Sequence, residues 1–391
     1  MSKKIGIFLD YNPEDGGTFQ YNLTMIDAVA ALPADMYSIV VGYTSDIWLK
    51  YLAGYGLRNI FVPAGFWGRA FSLAWTRLGL PMALWRTLSQ YFHPIAKALL
   101  RENCDLWIFT SPTAKSFQIP VPALVSIHDL MHRYERRFPE SASGWEYFCR
   151  ERNLANICRW AKGYLVDSEC GRNHLQESFS VLSDRIHILP YIAPGYIHSE
   201  TIPPGFDVRY QLPEKFLFYP AQFWQHKNHK KLLDAIKHLK GDIPDLKLVL
   251  AGSPKNAFES VVGHVQKLGL IDNVIFLGYV QDEDMPELYR RAKALVMPTF
   301  YGPTNIPPLE AFVAGCPVAV SGIYAIPEQV GDAALLFDPE SVPDIADCIA
   351  KLWTDDALCA DLIAKGRKRA ASWGRKQFNE RLQVIIEEIV G

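Results

Sequence analysis

The stretch from Ala294 to Ser321 (ALVMPTFYGPTNIPPLEAFVAGCPVAVS) constrains the fold most, because it holds a whole strand–loop–helix–strand unit. An apolar run predicts a buried strand, and a loop rich in Pro, Gly, Thr and Asn follows it. Pro307 and Pro308 suit the first turn of a helix, where a missing N–H costs nothing, and Gly315 suits the position just past its end. The unit predicts a parallel sheet with a helix N-terminus at a strand's carboxyl end.

Such a helix N-terminus favours an anion, most often a phosphate, because its free N–H groups and its dipole point at the loop. Glu310 lies in the first turns of the helix and adds a carboxylate that can accept hydrogen bonds from a sugar diol. An ordinary strand–helix–strand unit, in which Glu310 only stabilises the helix, fits the same spacing. Both interpretations stay open at this point.

Strands alternate with helices in both halves of the 391-residue chain, which predicts parallel sheets with helices on both faces. The chain is too long for one typical domain, and its hydrophobic content of 49% is enough for complete cores. The stretch 193–215 is rich in Pro and Gly, lacks periodicity and is interpreted as an interdomain linker. We therefore predict two doubly wound α/β domains.

The cysteines and the N-terminus bear on the compartment. Seven cysteines occur without a Cys-x-x-Cys motif, and the histidines do not cluster, which argues against a zinc site or a disulfide framework. The chain passes from two lysines directly into a predicted strand, with no signal-peptide segment, and no apolar run is long enough to span a membrane. These features favour a cytoplasmic protein and predict no metal site.

The stretch 47–101 has an unusual composition, because it contains seven Lys and Arg residues, many aromatic residues and no Asp or Glu. Basic charge mixed with Trp and Phe on predicted helices is typical of a surface that contacts anionic lipid headgroups. Nucleic acid would attract the same charge, but the chain has no nucleic-acid-binding motif. A helix layer with core aromatics and arginines that reach outward is the alternative.

Two glycines and one histidine are candidate site residues of the first half. Gly16 and Gly17 lie at a predicted strand-to-helix turn, where backbone N–H groups can approach a ligand, although a plain tight turn fits equally. His128 follows the predicted strand 123–127, so we expect it at the sheet edge where ligands bind and where an imidazole can move a proton. A structural histidine bonded to a neighbouring loop is the alternative.

Two segments, Tyr219–His229 (YPAQFWQHKNH) and Gly302–Ala311 (GPTNIPPLEA), carry a resemblance to a known family. Together they resemble the family-4 retaining glycosyltransferases (group 1) of the GT-B fold, in a Gly-Pro-Thr-Asn branch. The resemblance implies two Rossmann-like doubly wound parallel-sheet domains facing a cleft. Residues 1–198 would be the N-terminal acceptor-binding domain and 199–372 the nucleotide-sugar-binding domain, with a C-terminal helix at 373–391 that crosses back to the first.

The resemblance also implies roles for single residues. Lys227 matches the lysine that binds the donor diphosphate, whereas Gln222 stands where the family has an arginine. Glu310 matches the glutamate that holds the nucleotide ribose. His128 matches the histidine beside the donor sugar.

Gly302 replaces a second family glutamate, the one near the donor sugar. Thr304 and Asn305 lie in the same loop, and we expect them to take over part of its hydrogen bonding. We therefore predict His128, Lys227 and Asn305 as catalytic residues. The predicted donor-binding residues are Gly16, Gly17, Gln222, Lys227, Gly278, Tyr279, Val280, Thr304, Asn305, Ile306 and Glu310.

The activity implied is retaining, metal-independent transfer of a sugar, with Lys227 in place of a divalent metal and no cofactor besides the donor substrate. GDP-mannose is the leading donor and a UDP-sugar the next. The acceptor would be a lipid-linked or surface polysaccharide at the inner face of the cell membrane, with no nucleic-acid partner. The alternatives are a nucleotide-sugar epimerase of the same fold and a nucleotide-sugar-binding protein without turnover.

Overall fold

The structure is a computed structural model that describes residues 2–13, 16–62, 70, 75, 81–141 and 144–391. The chain forms two compact units. The first comprises Met1–Leu130, Ser143–Pro190 and Arg375–Gly391, and the second comprises Met131–Ala142 and Tyr191–Gly374. Each unit is built on one parallel sheet.

The described part of the first unit holds seven parallel strands: β1 (Lys3–Leu9), β2 (Tyr37–Tyr43), β3 (Arg58–Phe61), β4 (Leu106–Phe109), β5 (Ala123–Ser126), β6 (Gly163–Val166) and β7 (Ile186–Ile188). Their order is β3-β2-β1-β4-β5-β6-β7, so the direction of the connections reverses between β1 and β4. The helices that the structure describes in this unit are Gly17–Ala30, Trp48–Leu52, Met82–Phe92, Pro94–Arg101, Lys115–Gln118, Trp145–Trp160, Glu169–Phe179 and Arg375–Val390.

The central strands of this sheet are apolar on both faces. All four residues of β4 and all four of β5 are buried, as a sheet covered by helices on both sides requires. Strand β1 pairs with β2 in a register that places Lys3 opposite Tyr37 and Leu9 opposite Tyr43.

The last helix, Arg375–Val390, belongs to the first unit although it follows the second in the chain. Its side chains Phe378, Leu382, Ile385 and Ile386 are fully buried. The Lys3 ammonium donates to the carbonyl oxygen of Val390 at 2.8 Å. The predicted return of the C-terminal helix to the first domain is therefore confirmed.

The second unit contains the other six described strands: β8 (Leu217–Pro220), β9 (Leu248–Ala251), β10 (Val274–Gly278), β11 (Ala294–Met297), β12 (Val318–Ser321) and β13 (Leu335–Phe337). They form a parallel sheet in the order β10-β9-β8-β11-β12-β13, with the reversal between β8 and β11. The helices of this unit are Met131–Tyr134, Phe206–Tyr210, His229–Leu239, Phe258–Leu268, Met285–Arg291, Ile306–Ala314, Ile326–Val330, Val342–Thr354 and Asp356–Ser372. None of the helices that the structure describes is both long enough and apolar enough to cross a membrane.

The interpretation of 193–215 as a linker is wrong, because this stretch packs into the second unit. Ile197 and Phe206 are 2% and 1% exposed and belong to the unit's hydrophobic core. The Tyr210 hydroxyl donates to the Asp284 carboxylate at 2.7 Å. The stretch lacks periodicity because single apolar side chains on short helical turns anchor it.

Candidate functional site

The loops after β8 and β11 meet where the connections of the second sheet reverse, which is where open α/β sheets bind ligands. The helix Ile306–Ala314 follows the second loop and has proline in its first turn. Gly315 ends this helix at φ +78°. These helix limits were predicted from the sequence and are confirmed.

Lys227 and Asn305 approach each other across the two loops. The Lys227 Nζ lies 3.5 Å from the Asn305 Oδ1, and the Asn305 Nδ2 donates to the Tyr301 carbonyl oxygen at 3.0 Å. Asn305 is the residue immediately before the helix, so the ammonium group lies near a helix N-terminus. A cation beside the positive end of a helix suits a phosphate.

The side chain of Gln329 fixes the backbone of Asn305, a role that the sequence did not indicate. Its Oε1 accepts from the Asn305 N–H at 3.0 Å, and its Nε2 donates to the Asn305 carbonyl oxygen at 2.7 Å. No sequence signal distinguishes a glutamine that pairs with a distant backbone amide from a surface glutamine.

The backbone explains why Gly302 stands where the family has a glutamate. Gly302 has φ +92°, a conformation that L side chains rarely adopt. A Cβ there would lie 2.6 Å from the Thr304 carbonyl oxygen and 2.9 Å from the Asn305 Nδ2. The loop therefore has no room for a side chain at this position.

Gln222 has a defined orientation in the first loop. Its Oε1 accepts from the Trp224 indole N–H at 2.9 Å, which leaves the amide NH₂ as the group that can donate to a ligand. The loop backbone also lies close to Gly252, where a Cβ would meet the Ala221 carbonyl oxygen at 2.3 Å. Gln222 thus presents a neutral donor where the family presents a charged one.

Glu310 is buried, and both of its oxygens accept from tyrosine hydroxyls. Tyr196 donates to Oε1, and Tyr289 donates to Oε2 at 2.5 Å. Burial raises the pKa of Glu310, and the two hydroxyls partly oppose that shift. Each carboxylate oxygen can accept a second hydrogen bond, so a ribose hydroxyl could still bind here. Sequence reasoning missed both tyrosines, and Tyr196 lies in the stretch interpreted as a linker.

Gly278, Tyr279 and Val280 form a turn at the carboxyl end of β10. Gly278 has φ +69°, and its carbonyl oxygen accepts from the Gly252 N–H at 2.7 Å. Val280 is buried, whereas the Tyr279 side chain is exposed. The turn lies at the same edge of the sheet as the loops after β8 and β11, because all these strands are parallel.

The remaining predicted residues, His128, Gly16 and Gly17, lie in the first unit. His128 follows β5, and its Nε2 donates to the Thr110 carbonyl oxygen at 2.9 Å. Burial lowers the pKa of His128, so the imidazole is neutral at pH 7. Gly16 has φ +61° and precedes the helix Gly17–Ala30, while residues 14 and 15 of that turn lie outside the described residues.

Comparison with known proteins matches residues 207–369 to the family described as glycosyl transferases group 1. The chain is 30% identical over 235 residues to O-antigen chain mannosyltransferase B of Escherichia coli, a match that covers 59% of this chain and 60% of that one. It is also 30% identical over 170 residues to the serotype-specific mannosyltransferase WbdA of Escherichia coli, covering 42% of this chain. The chain thus spans 60% of the first relative and 21% of the second.

The fold as a whole matches solved structures. The crystal structure of Anabaena Alr3699/HepE in complex with UDP and glucose has a TM-score of 0.74 at 17% identity, and the match covers 98% of this chain and 99% of that one. The predicted GT-B fold, with two Rossmann-like parallel-sheet domains, is confirmed.

Proposed function

We propose that this chain, whose residues 207–369 match the family of group 1 glycosyl transferases, moves a sugar from a nucleotide-sugar donor to a hydroxyl of a glycan acceptor. The observation that carries the proposal is the meeting of Lys227 with Asn305 at the N-terminus of the helix Ile306–Ala314. GDP-mannose is the leading donor: the names of two relatives support mannose as the sugar, and the family resemblance suggests GDP as the nucleotide. A UDP-sugar is the second candidate; the neighbour of the same fold, Anabaena Alr3699/HepE, holds UDP and glucose.

The chemistry follows from the charge that develops on the donor. Breaking the bond at the anomeric carbon leaves negative charge on the departing diphosphate. Lys227 and the positive end of the helix dipole are oriented before the reaction and stabilise that charge as it forms. One charged hydrogen bond of this kind contributes about 1.5–3 kcal/mol.

The proposed reaction is a front-face substitution at the anomeric carbon. The acceptor hydroxyl attacks from the face that the diphosphate leaves, its proton passes to the departing phosphate, and the configuration of the sugar is retained. Lys227 supplies the positive charge that a divalent metal supplies in other transferases. Glu310 accepts from the ribose hydroxyls, and His128 contacts the donor sugar.

The proposed acceptor is a growing surface polysaccharide or a lipid-linked glycan. Its support is the name of the first relative, an O-antigen chain mannosyltransferase of which this chain spans 60%. A membrane extract from cells that make such a polysaccharide is the appropriate first acceptor.

The test is a panel of labelled GDP-mannose, UDP-glucose and dTDP-glucose, each incubated with and without that extract. We expect label to enter the extract's glycans from one donor and only slow hydrolysis without the extract. An epimerase would convert its donor without any acceptor. A binding protein without turnover would bind a nucleotide sugar, seen as a rise in melting temperature, and transfer nothing.

We further propose that the first unit contacts anionic membrane through the helix Met82–Phe92. Leu84, Leu88, Tyr91 and Phe92 are exposed at spacings that place them on one helical face. Arg86 is excluded from this contact, because its guanidinium donates to the Phe117 and Ile119 carbonyl oxygens at 2.5 and 2.9 Å. Several residues of the stretch 47–101 lie outside the described residues: Phe66, Trp67, Arg69, Phe71 and Arg77.

Flotation with vesicles of anionic phospholipid tests the membrane contact. Leu88→Glu places a charge on the exposed apolar face and should reduce partitioning at least about tenfold. Ala83→Glu adds the same charge to another exposed side of the helix and should have a much smaller effect. Equal binding of the two variants would rule out this helix as the contact.

A further inference from the structure

A short segment between β5 and the helix Trp145–Trp160, both in the first unit, packs on the second unit instead. This 131–141 segment contains the helix Met131–Tyr134 and the 3₁₀ turn Pro139–Ser141. Its Arg137 guanidinium lies 4.2 Å from the centre of the Phe300 ring and pairs with Glu135 and Glu340. The segment is thus fixed on the loop that follows β11.

Glu140 of this segment holds the residue next to Lys227. Its Oε1 lies 3.1 Å from the backbone nitrogen of His226, which donates to it, and 3.1 Å from the His226 Nδ1. Both side chains are largely buried. Burial alone would raise the pKa of Glu140, but the hydrogen bonds and charge of His226 and a hydrogen bond from the Glu140 backbone together outweigh it and lower the pKa to about 2. The carboxylate is therefore charged at pH 7.

His226 in turn joins the two loops of the candidate site. Its imidazole stacks on the Tyr301 ring, with 3.9 Å between ring centroids and 16° between planes. Its carbonyl oxygen accepts from the Phe300 N–H at 2.8 Å. Tyr301 also contacts the Ser141 hydroxyl, and its carbonyl oxygen accepts from the Asn305 Nδ2. One connected set of contacts thus leads from Glu140 to both residues of the Lys227–Asn305 pair.

We propose that Glu140 is a positioning residue for the donor diphosphate, acting through His226 on Lys227 and on the loop that precedes Asn305. This inference rests on the proposed function. Glu140 does not touch the ligand; it fixes the backbone from which the Lys227 side chain extends and the ring against which Tyr301 lies. A displaced Lys227 loses the preorganisation that makes a charged group effective toward a phosphate.

Two variants and a matched control test the proposal by calorimetric titration with GDP, UDP and the corresponding nucleosides. Glu140→Ala removes the acceptor for both His226 nitrogens and should weaken nucleoside-diphosphate binding about tenfold. Glu140→Gln keeps a carbonyl oxygen for the backbone N–H and should weaken it about threefold. The control is Glu380→Gln, at an exposed glutamate of the helix Arg375–Val390 in the first unit, and it should leave binding at the wild-type level.

Nucleoside binding separates positioning from general damage to the fold. If Glu140 positions only the diphosphate site, every variant should bind guanosine or uridine with the wild-type affinity. Equal losses for nucleoside and nucleoside diphosphate, or wild-type binding of GDP or UDP by Glu140→Ala, would overturn the proposal. A wild-type protein that binds neither diphosphate would instead overturn the proposed function on which it rests.

Discussion

At the scale of single residues, the two departures from the family pattern have different physical explanations. Position 302 requires glycine because its backbone has a positive φ and because a Cβ would make close contacts with Thr304 and Asn305. Gln222 presents an amide donor whose orientation the Trp224 indole sets. The sequence revealed both departures, but it could not show that the first follows from loop geometry, because φ angles and close contacts are not encoded in a motif.

Restoring the family residue by Gly302→Glu should therefore impair the protein instead of improving it. The new side chain would displace Thr304 and the side-chain amide of Asn305, the residue that faces Lys227. We expect sugar transfer to fall at least about a hundredfold, because a displacement of about 1 Å in a positioning loop has effects of that size. This loss is measured as the rate of sugar transfer from the preferred donor.

The control for this variant is Gly263→Ala, in the helix Phe258–Leu268, where a Cβ would meet nothing within 4 Å. It should transfer at the wild-type rate. Activity of Gly302→Glu at or above the wild-type level would show that the loop tolerates the family glutamate.

At the scale of secondary-structure elements, the sequence predicted best where apolar runs are continuous and bounded by glycine or proline. The apolar run at the start of Ala294–Ser321 forms the buried strand β11, and the helix Ile306–Ala314 ends at Gly315 as expected. The sequence did not predict how two segments pack, the stretch 193–215 and the 131–141 segment. Each is held by single side chains against distant residues, and long-range contacts of that kind leave no period in the sequence.

Phe206 provides a test of the packing of the stretch 193–215. It is fully buried beside Tyr210, at 4.9 Å between ring centroids, and the Arg291 guanidinium lies 4.9 Å from its ring. Phe206→Ala should lower the free energy of unfolding by about 3–5 kcal/mol, as measured by urea denaturation.

Val208 lies on the same short helix and is 79% exposed, so Val208→Ala is the matched control and should change stability by less than about 0.5 kcal/mol. A Phe206→Ala protein as stable as this control would indicate that the stretch is a linker after all.

At the scale of the whole molecule, the alternation of strands and helices was enough to predict two parallel-sheet domains, and the structure contains them. The place of the candidate donor site follows from strand order, because Gln222 and Lys227 follow β8 while Thr304 and Asn305 follow β11, its neighbour. Strand order itself could not be read from the sequence, since it depends on which strands pair. The tyrosine partners of Glu310 were unpredictable because these hydrogen bonds join residues that are distant in the sequence.

The most direct measurement of the central claim, that Lys227 and the adjoining helix N-terminus bind the donor diphosphate, is a calorimetric titration of the preferred nucleotide sugar into three proteins. These are the wild type, Lys227→Ala and Lys237→Ala, the last an exposed lysine in the final turn of the helix His229–Leu239. We predict that Lys227→Ala weakens binding by roughly ten- to a hundredfold, the value of one charged hydrogen bond to a phosphate, while Lys237→Ala binds like the wild type. Equal affinity of Lys227→Ala and the wild type would contradict the account.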